Sequence, residues 1–188
     1  MKDYFARYFG DSADVMTSLK ELEPKLLEVS SEIIKRIESG GTVFWFGNGG
    51  SASDAQHLAA ELVGRFEKNR KPIASIALNT DTSALTAIAN DFGFSTIFSR
   101  QIEALASNND VVVGISTSGK SENVLLGLEA AKKLGALTIG LTGPAIDLIA
   151  PFCSHVISVN SARTCHIQEA HIAIGQSMCG FIENYFVV

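Results

Sequence analysis

The sequence predicts a doubly wound α/β fold, in which a five-stranded parallel sheet follows an N-terminal helical segment. Five short apolar runs alternate with segments whose apolar residues recur at helical spacing. Each run is apolar throughout rather than at every second position, which is typical of parallel strands covered by helices on both faces. With 188 residues, the chain is expected to form one domain, made of the helical segment at 1–40 and the α/β core at 41–188.

The helical segment comes first along the chain. Apolar residues recur every three or four positions between residues 11 and 39. Pro24 should introduce a turn or kink in this segment, because proline removes a backbone donor and clashes with the preceding turn. Gly40 and Gly41 should end it.

Strands and helices then alternate to the end of the chain. The expected strands are the apolar runs at 42–46, 72–78, 110–116, 136–141 and 155–159. The expected helices cover about 51–67, 82–89, 95–106, 121–134, 144–149 and 165–185. Such alternation builds successive strand–helix–strand units, whose strands are parallel.

The composition limits the partners and the compartment. Hydrophobic residues make up 46% and charged residues 19%, so the chain is globular and apolar enough to bury surface against copies of itself. The net charge of -5 gives no electrostatic basis for binding nucleic acid or an anionic membrane. The N-terminus lacks the apolar core of a signal peptide, and no stretch approaches the length of a membrane span. The three cysteines lack a CxxC spacing, so we expect a protein of the reduced cytoplasm.

Two glycine-rich loops mark the expected ligand site. In a sheet of order 2-1-3-4-5, the flavodoxin-like order, ligands lie beyond the carboxyl ends of the strands, where the order reverses between the first and third strands. The loops that follow these two strands are FGNGGSAS, from residue 46, and GISTSGKSEN, from residue 114. We therefore expect the site between them.

Two short patterns in these loops point to nucleotide-binding proteins, and both fail in their context. Residues 47–52 match G-x-G-x-x-A, but no acid closes the second strand to hold the ribose, since that strand runs to Leu78 and the first acid after it, Asp81, is too far along. Residues 114–121 match G-x-x-x-x-G-K-S, but the first two belong to the strand, and no later strand ends in an aspartate for magnesium. What remains is a run of hydroxyl groups at a helix start. It suits a phosphate, or else forms a serine-rich turn that caps the helix at 121.

His57 and Glu61 lie four residues apart on the helix that leaves the first loop. This spacing places both side chains on one helix face. The pair can share a metal ion or hold a base beside a ligand, and the alternative is an ordinary exposed polar face.

Several longer motifs occur in order and are more specific than these patterns. The segments GNGGSASDAQHLAAEL, GRF, ALNTDTSALTAIANDFGFSTIFSRQIEAL, ISTSGKSENV and HIQEAHI together resemble the bacterial phosphoheptose isomerases, from about residue 40 to the C-terminus. The resemblance implies a sugar isomerase (SIS) domain and a homotetramer with one zinc ion per subunit. It also implies an aldose–ketose isomerase that converts sedoheptulose 7-phosphate to D-glycero-D-manno-heptose 7-phosphate through an enediol, toward the heptose of lipopolysaccharide.

The resemblance also assigns roles to matching positions of this sequence. The phosphate would be bound by the hydroxyl groups of Ser116, Thr117, Ser118 and Ser121. The sugar would lie against Asn48, Gly49, Gly50, Ser51, Glu61, Asn90, Asp91 and Gln168. Zinc would be bound by His57, Glu61, Gln168 and Gln176, and Glu61 would also be the general base. Proton abstraction next to a carbonyl is a task that a carboxylate with a raised pKa can perform.

The sequence departs from the family pattern at two places. Gln176 stands where the family usually has a histidine that acts as zinc ligand and second acid/base. An amide oxygen coordinates zinc weakly and does not titrate, so zinc occupancy and catalysis at this position are both open. Cys165 and His166 stand where Ala-Arg is common, and His166 and His171 are the nearby imidazoles to consider as replacements.

Two other functions remain as alternatives. Some close SIS relatives bind the bacterial replication initiator without catalysis and lack the catalytic pair. The missing histidine favours that function, whereas Glu61 and the complete STSGKS loop favour the isomerase. A phosphosugar-sensing regulator would usually add a DNA-binding domain, and none is visible in the 188 residues.

Overall fold

Five parallel strands form the centre of the computed structural model, which describes residues 2–187. The strands are β1 (Val43–Gly47), β2 (Ser75–Ala77), β3 (Val111–Ser116), β4 (Leu137–Thr142) and β5 (His155–Ser158). They lie in the order β2-β1-β3-β4-β5, and every neighbouring pair is parallel. The predicted sheet is therefore confirmed, and its order reverses between β1 and β3.

Within residues 2–187, seven α-helices surround or precede this sheet. They are α1 (Tyr4–Ser18), α2 (Glu23–Glu38), α3 (Gly50–Val63), α4 (Thr82–Phe92), α5 (Ser99–Leu105), α6 (Glu122–Leu134) and α7 (Thr164–Phe186). Short 3₁₀ turns lie at Leu19–Leu22, Phe94–Thr96 and Ala150–Phe152. Among residues 2–187, no helix is both long enough and apolar enough to cross a membrane.

The sheet is buried on both faces, which explains why its strands are apolar throughout. On one face, α2, α3 and α7 contribute Ile33, Leu58 and Ile174 to a core cluster that includes the inward side chains of β1 and β4. On the other face, α5 and α6 contribute Ile102 and Leu128 to a second cluster. Burial of these side chains is the main stabilising term of such a fold.

The N-terminal helical segment is longer than its apolar pattern predicts, because it begins at Tyr4 rather than at residue 11. The predicted break at Pro24 is present. A 3₁₀ turn separates the two helices, and Pro24 lies in the first turn of α2, where its missing N–H costs no hydrogen bond. Gly40 has a φ of 84° and follows the helix end, as expected for a glycine at this position.

The helix predicted at 144–149 is wrong. Residues 144–149 form turns instead, and Pro151 lies in the 3₁₀ turn that follows them. The seven residues between Gly143 and Pro151 are too few to recover the cost of helix nucleation, whereas burying Ile149 fixes the segment against the core.

Two element ends also differ from the prediction. The helix α3 stops at Val63 instead of continuing to residue 67, because the N–H groups of Phe66, Glu67 and Lys68 donate to the side chain of Glu183. The strand β2 pairs only over Ser75–Ala77. Before it, Pro72 has no N–H to donate, and the N–H of Ile73 donates to the carbonyl of Leu62 instead of to a neighbouring strand.

Candidate active site

The loop after β1 leads directly into α3 and contacts α7. Gly49 has a φ of 57°, a conformation that favours glycine. Gly50 opens α3, and a Cβ added there would lie 1.9 Å from Nε2 of Gln168. Glycine is therefore needed at position 50 for the α7 side chain to lie on this loop. Ser51 is buried beside it.

Two asparagines outside the predicted site brace this loop. Asn48 and Asn123 exchange two side-chain hydrogen bonds, each of 2.8 Å, which join the first loop to α6. Asn79, after β2, donates to the carbonyl of Gly47 at 2.9 Å. Sequence analysis missed both residues, and the only signal for Asn123 was a polar residue in the SENV segment next to the third-strand loop.

The loop after β3 gathers hydroxyl groups at the start of α6. Ser116 Oγ donates to Ser121 Oγ at 3.0 Å and lies 3.4 Å from Ser118 Oγ. Gly119 has a φ of 64°, and a Cβ there would lie 2.2 Å from the carbonyl oxygen of Ala145, so the tight turn requires glycine. Thr117 holds the other side of the turn, since its carbonyl accepts from Gly143 N–H.

The capping interpretation of this loop does not fit its geometry. Ser121 is the N-cap residue of α6, but its side chain makes no capping hydrogen bond. Its hydroxyl instead accepts from Ser116. The first N–H groups of α6 are therefore not satisfied by this side chain, and together with the hydroxyl groups they form a set of donors suited to an anion.

A second cluster of polar side chains, the His57 group, lies where α3 contacts α7 and consists of His57, Glu61 and Gln176. His57 Nε2 is 2.9 Å from Glu61 Oε1, and Gln176 Nε2 is 3.4 Å from the same His57 nitrogen. The His57 side chain is 50% exposed and that of Glu61 is 17% exposed. The imidazole therefore faces solvent, and the carboxylate behind it is half-buried. The arrangement brings three of the four predicted zinc-binding side chains together.

A cavity of about 320 Å³ lies beside this group. It is lined by Asp54, Cys165, Gln168, Glu169 and Ile172. Burial raises the pKa of Asp54, and the nearby His57 opposes that shift. Within residues 2–187, Asp54 Oδ2 has no hydrogen-bond partner, so the cavity offers a free carboxyl oxygen next to Gln168. Sequence analysis missed Asp54, although it lies three positions before His57 on the same helix.

Comparison with known proteins assigns this arrangement to a family. A family model described as "SIS domain" matches residues 7–143. The phosphoheptose isomerase of Aquifex aeolicus (strain VF5) is 48% identical over 185 residues, which cover 98% of this chain and 97% of that protein. That of Rhodospirillum rubrum is 45% identical over 184 residues, 98% of each chain. The chain belongs to the phosphoheptose isomerase family.

Solved structures of phosphoheptose isomerases agree with this assignment. That of Neisseria gonorrhoeae superimposes with a TM-score of 0.91 at 38% identity, over 97% of this chain and 98% of that one. That of Francisella tularensis superimposes with a TM-score of 0.93 at 33% identity, over 97% of both chains. The resemblance inferred from the motifs is thus confirmed over nearly the whole chain.

His166 and His171, the two imidazoles considered as replacements for the family's histidine at position 176, do not join the His57 group. His166 is buried under α1, where its Nδ1 lies 2.8 Å from Glu169 Oε2 and its ring contacts Tyr8. His171 is fully buried, and burial lowers its pKa. Neither therefore takes the place of the histidine that the family usually has at position 176.

Asn90 and Asp91 make no hydrogen bond to the two loops in the described part of the chain. Both are exposed at the end of α4, where Asn90 Nδ2 donates to Asp91 Oδ1 at 2.8 Å. No hydrogen bond in the described part of the chain connects them to the other predicted substrate-binding residues.

A different group of side chains could also hold a metal ion. Ligand atoms of Glu28, Glu32 and His155 lie within 4.8 Å of one another. His155 opens β5, an edge strand, so it lies at the amino end of the parallel strands, whereas the two loops follow the carboxyl ends of β1 and β3. Lys25 Nζ lies 2.9 Å from Glu28 and 2.8 Å from His155 Nδ1, so a lysine ammonium already neutralises part of this group.

Proposed function

We propose that the protein converts sedoheptulose 7-phosphate to D-glycero-D-manno-heptose 7-phosphate. The observation that supports this most directly is the position of Glu61. Its carboxylate lies on the helix that leaves the β1 loop, beside His57 and near the cavity that Gln168 lines. A carboxylate at this position can reach the reacting carbons of a sugar whose phosphate lies on the neighbouring β3 loop.

The phosphate is bound by Ser116, Thr117, Ser118 and Ser121 in this proposal. Hydroxyl groups and the first N–H groups of α6 donate to the phosphate oxygens, and the helix dipole favours their negative charge. Three of these hydroxyl groups already lie within 3.4 Å of a neighbour, so little rearrangement is needed to bind an anion.

The sugar lies along the β1 loop and α7, against Asn48, Gly49, Gly50, Ser51 and Gln168. Asn48 is held in one orientation by its pair of hydrogen bonds with Asn123, and Gln168 by its contact with Gly50. The donors that meet the sugar hydroxyls are thus positioned before the substrate arrives, which favours catalysis. Asn90 and Asp91 belong to the proposed site through the family resemblance alone.

Glu61 moves the proton in the proposed reaction. Its carboxylate takes a proton from C1 of the ketose, the electrons of the C–H bond form the C1–C2 double bond, and the electrons of the C2–O double bond move to oxygen, which takes a proton from solvent water and becomes the second enediol hydroxyl. The protonated carboxyl then returns its proton to C2, the electrons of the C1–C2 double bond form the new C–H bond, and the C1 hydroxyl gives its proton to solvent as it becomes the aldehyde. Gln176 has no titratable group, so it can orient the hydroxyls but cannot exchange their protons.

The family resemblance also implies zinc, and the donor set of this chain fits it in part. An imidazole, a carboxylate and an amide converge at His57, Glu61 and Gln176, and an amide can present its oxygen by rotating about its last torsion. We propose that these side chains, with Gln168, hold the ion. When bound, zinc polarises the substrate carbonyl. The amide of Gln176 is the weakest ligand of the set.

A Glu61→Gln substitution tests the proposed reaction. The amide keeps the shape of the side chain but accepts no proton, so kcat for heptose phosphate formation should fall by about 100-fold or more, with substrate binding retained. Gln56→Ala, an exposed change on the same helix, is the matched control and should leave kcat unchanged. Full activity of Glu61→Gln would refute the mechanism.

The replacement of the expected histidine by Gln176 favours a second candidate, a binding protein for the replication initiator. If the protein has this second function, the native protein should show no turnover and should capture the initiator in a pull-down. The isomerase predicts the reverse, so a coupled assay and a pull-down on the same preparation separate the two.

We further propose that the chain forms a single SIS domain and assembles as a cytoplasmic homotetramer that supplies heptose for lipopolysaccharide. Exposed aromatic side chains on the outer helices support the assembly. They include Tyr4, Phe5 and Phe9 of α1 and Phe181 and Tyr185 of α7, which are 40–73% exposed. The net charge of -5 supports a small-molecule substrate rather than nucleic acid or a membrane as the partner.

A further inference from the structure

We propose that Arg70 and Glu183, a buried pair outside the site described above, are positioning residues for Glu61. They fix the last turn of α3, which carries Glu61, to α7, which carries Gln168 and Gln176. This inference rests on the proposed role of Glu61 as the base.

Arg70 binds the carbonyl end of α3. Its Nη2 donates to the carbonyl of Glu61 at 2.6 Å, and its Nη1 donates to that of Leu62 at 2.8 Å. The last carbonyls of a helix have no partner within the helix, and a positive charge is favourable beside them. The Arg70 side chain is 0% exposed, so this cap is shielded from solvent. The guanidinium therefore bonds the backbone of Glu61 itself.

Glu183 binds the chain that follows α3. Its two carboxylate oxygens accept from the N–H groups of Phe66, Glu67 and Lys68 at 2.7–2.8 Å. Arg70 Nε lies 3.5 Å from Glu183 Oε2. Burial alone would raise the pKa of Glu183, but the three backbone N–H groups and Arg70 outweigh burial and lower it. The carboxylate thus stays ionised at neutral pH and pairs with the guanidinium.

The pair acts where the two helices are already in close contact. A Cβ on Gly175 of α7 would lie 2.4 Å from Leu58 Cδ1 of α3, so their backbones approach closely there. Beyond this contact, α3 ends at Val63 and no longer lies along α7. Arg70 and Glu183 fix that end, and without them the turn that carries Glu61 would be free to fray. Displacing a catalytic group by about 1 Å can cost 100-fold in rate.

Glu183→Gln and Arg70→Lys test this role. Each should lower kcat about 10-fold, because a displacement of Glu61 by less than about 1 Å costs only part of the roughly 100-fold factor. KM should stay within about two-fold, because neither change touches the β3 loop. The fall in kcat should be smaller in Arg70→Lys than in Arg70→Met, since lysine keeps the charge and can still donate to a carbonyl. A purely structural role would not produce this split between kcat and KM or this partial rescue.

Ile182→Val is the matched control. Ile182 is buried next to Glu183 on the same helix, so the change lowers the melting temperature without touching the end of α3. It should keep the wild-type kcat. An unchanged kcat in folded Glu183→Gln and Arg70→Lys would overturn the positioning role, and so would failure of both variants to fold, which would make the pair a requirement of the fold.

Glu61→Gln, measured in parallel, separates this inference from the proposed function. Loss of activity in Glu61→Gln with normal kcat in Glu183→Gln would remove only the positioning role. Full activity in Glu61→Gln would remove the proposed mechanism, and the positioning role with it.

Discussion

At the scale of single residues, Gln176 is the departure with the clearest chemical consequence. Its amide lies 3.4 Å from His57 Nε2, where an imidazole would be a stronger zinc ligand and could also carry a proton. We predict that Gln176→His raises both zinc content and kcat. Metal analysis of the purified protein beside the coupled assay checks both. Gln56→His, which adds an exposed imidazole elsewhere on α3, should change neither. Unchanged zinc content in Gln176→His would show that this amide does not limit the site.

The hydroxyl groups of the β3 loop allow a separate prediction about substrate binding. Ser118→Ala combined with Ser121→Ala removes two donors to the proposed phosphate, each worth about 1.5–3 kcal/mol as a charge-assisted hydrogen bond. KM for the sugar phosphate should therefore rise at least 10-fold, with the circular dichroism spectrum unchanged. Ser31→Ala is the control, because the Ser31 hydroxyl donates only to a carbonyl of its own helix. A double variant with wild-type KM would remove the phosphate assignment.

Sequence reasoning reached residues whose chemistry is local and missed those whose partner is distant. Ser116, Ser118 and Ser121 were predictable because they follow one strand, and the carboxyl end of a parallel strand is where ligands lie. Asn123 was not, because its bonds to Asn48, 75 positions earlier, depend on how the β1 loop meets α6 in the fold. The same holds for Glu183, which meets residues more than 100 positions earlier in the chain.

At the scale of elements, one carboxylate of α7 accepts two hydrogen bonds from α1, beside the ion pair of Arg163 with Asp11. Glu169 accepts hydrogen bonds from the hydroxyl groups of Tyr8 and Ser12, and its Oε2 lies 2.8 Å from His166 Nδ1. Burial alone would raise the pKa of Glu169, but these three partners outweigh it and lower the pKa to about 2. The bond to Glu169 also raises the pKa of Tyr8. Part of the attachment of α1 therefore depends on ionised Glu169.

This attachment should weaken in acid. Because the folded-state pKa lies below the ordinary value of 4.5, the contribution of Glu169 to stability is complete above about pH 4.5 and is lost as the pH falls toward 2. We predict that Glu169→Gln lowers the melting temperature at pH 7 and removes part of the fall in stability over this pH range. Asp14→Asn, an exposed change on α1, is the control. Equal pH dependence of the wild type and Glu169→Gln would contradict the prediction.

Helices and strands were predictable where the pattern of apolar residues was long. Their ends were uncertain where side chains bind the backbone. The five strands and their parallel arrangement followed from apolar runs that alternate with helices, whereas the order 2-1-3-4-5 was assumed and is the one observed. The end of α3 did not, because Arg70 and Glu183 take over its last carbonyls and the N–H groups that follow. The first turns of α1 were missed because their aromatic side chains are exposed on this chain, so burial does not reveal their role.

At the scale of the whole molecule, these exposed aromatic residues are the strongest indication of assembly. Phe5 and Phe9 of α1 are 73% and 65% exposed, and such side chains normally mark a surface that another protein covers. The surface is proposed to be covered by copies of this chain. A tetramer of four 20.0 kDa chains should then scatter light as a particle of about 80 kDa at micromolar concentration.

Charge placed on this surface should break the assembly. We predict that Phe5→Asp combined with Phe9→Asp shifts the particle toward smaller species, because desolvating a carboxylate in an apolar interface costs more than the lost contacts alone. Leu148→Asp is the matched control, since Leu148 is also exposed, at 53%, but lies in the connection between β4 and β5. A wild-type particle of 20 kDa would exclude the tetramer outright. A Phe5/Phe9 variant that still scatters as four chains would instead place the interface away from α1, on the remaining exposed aromatic residues of α7.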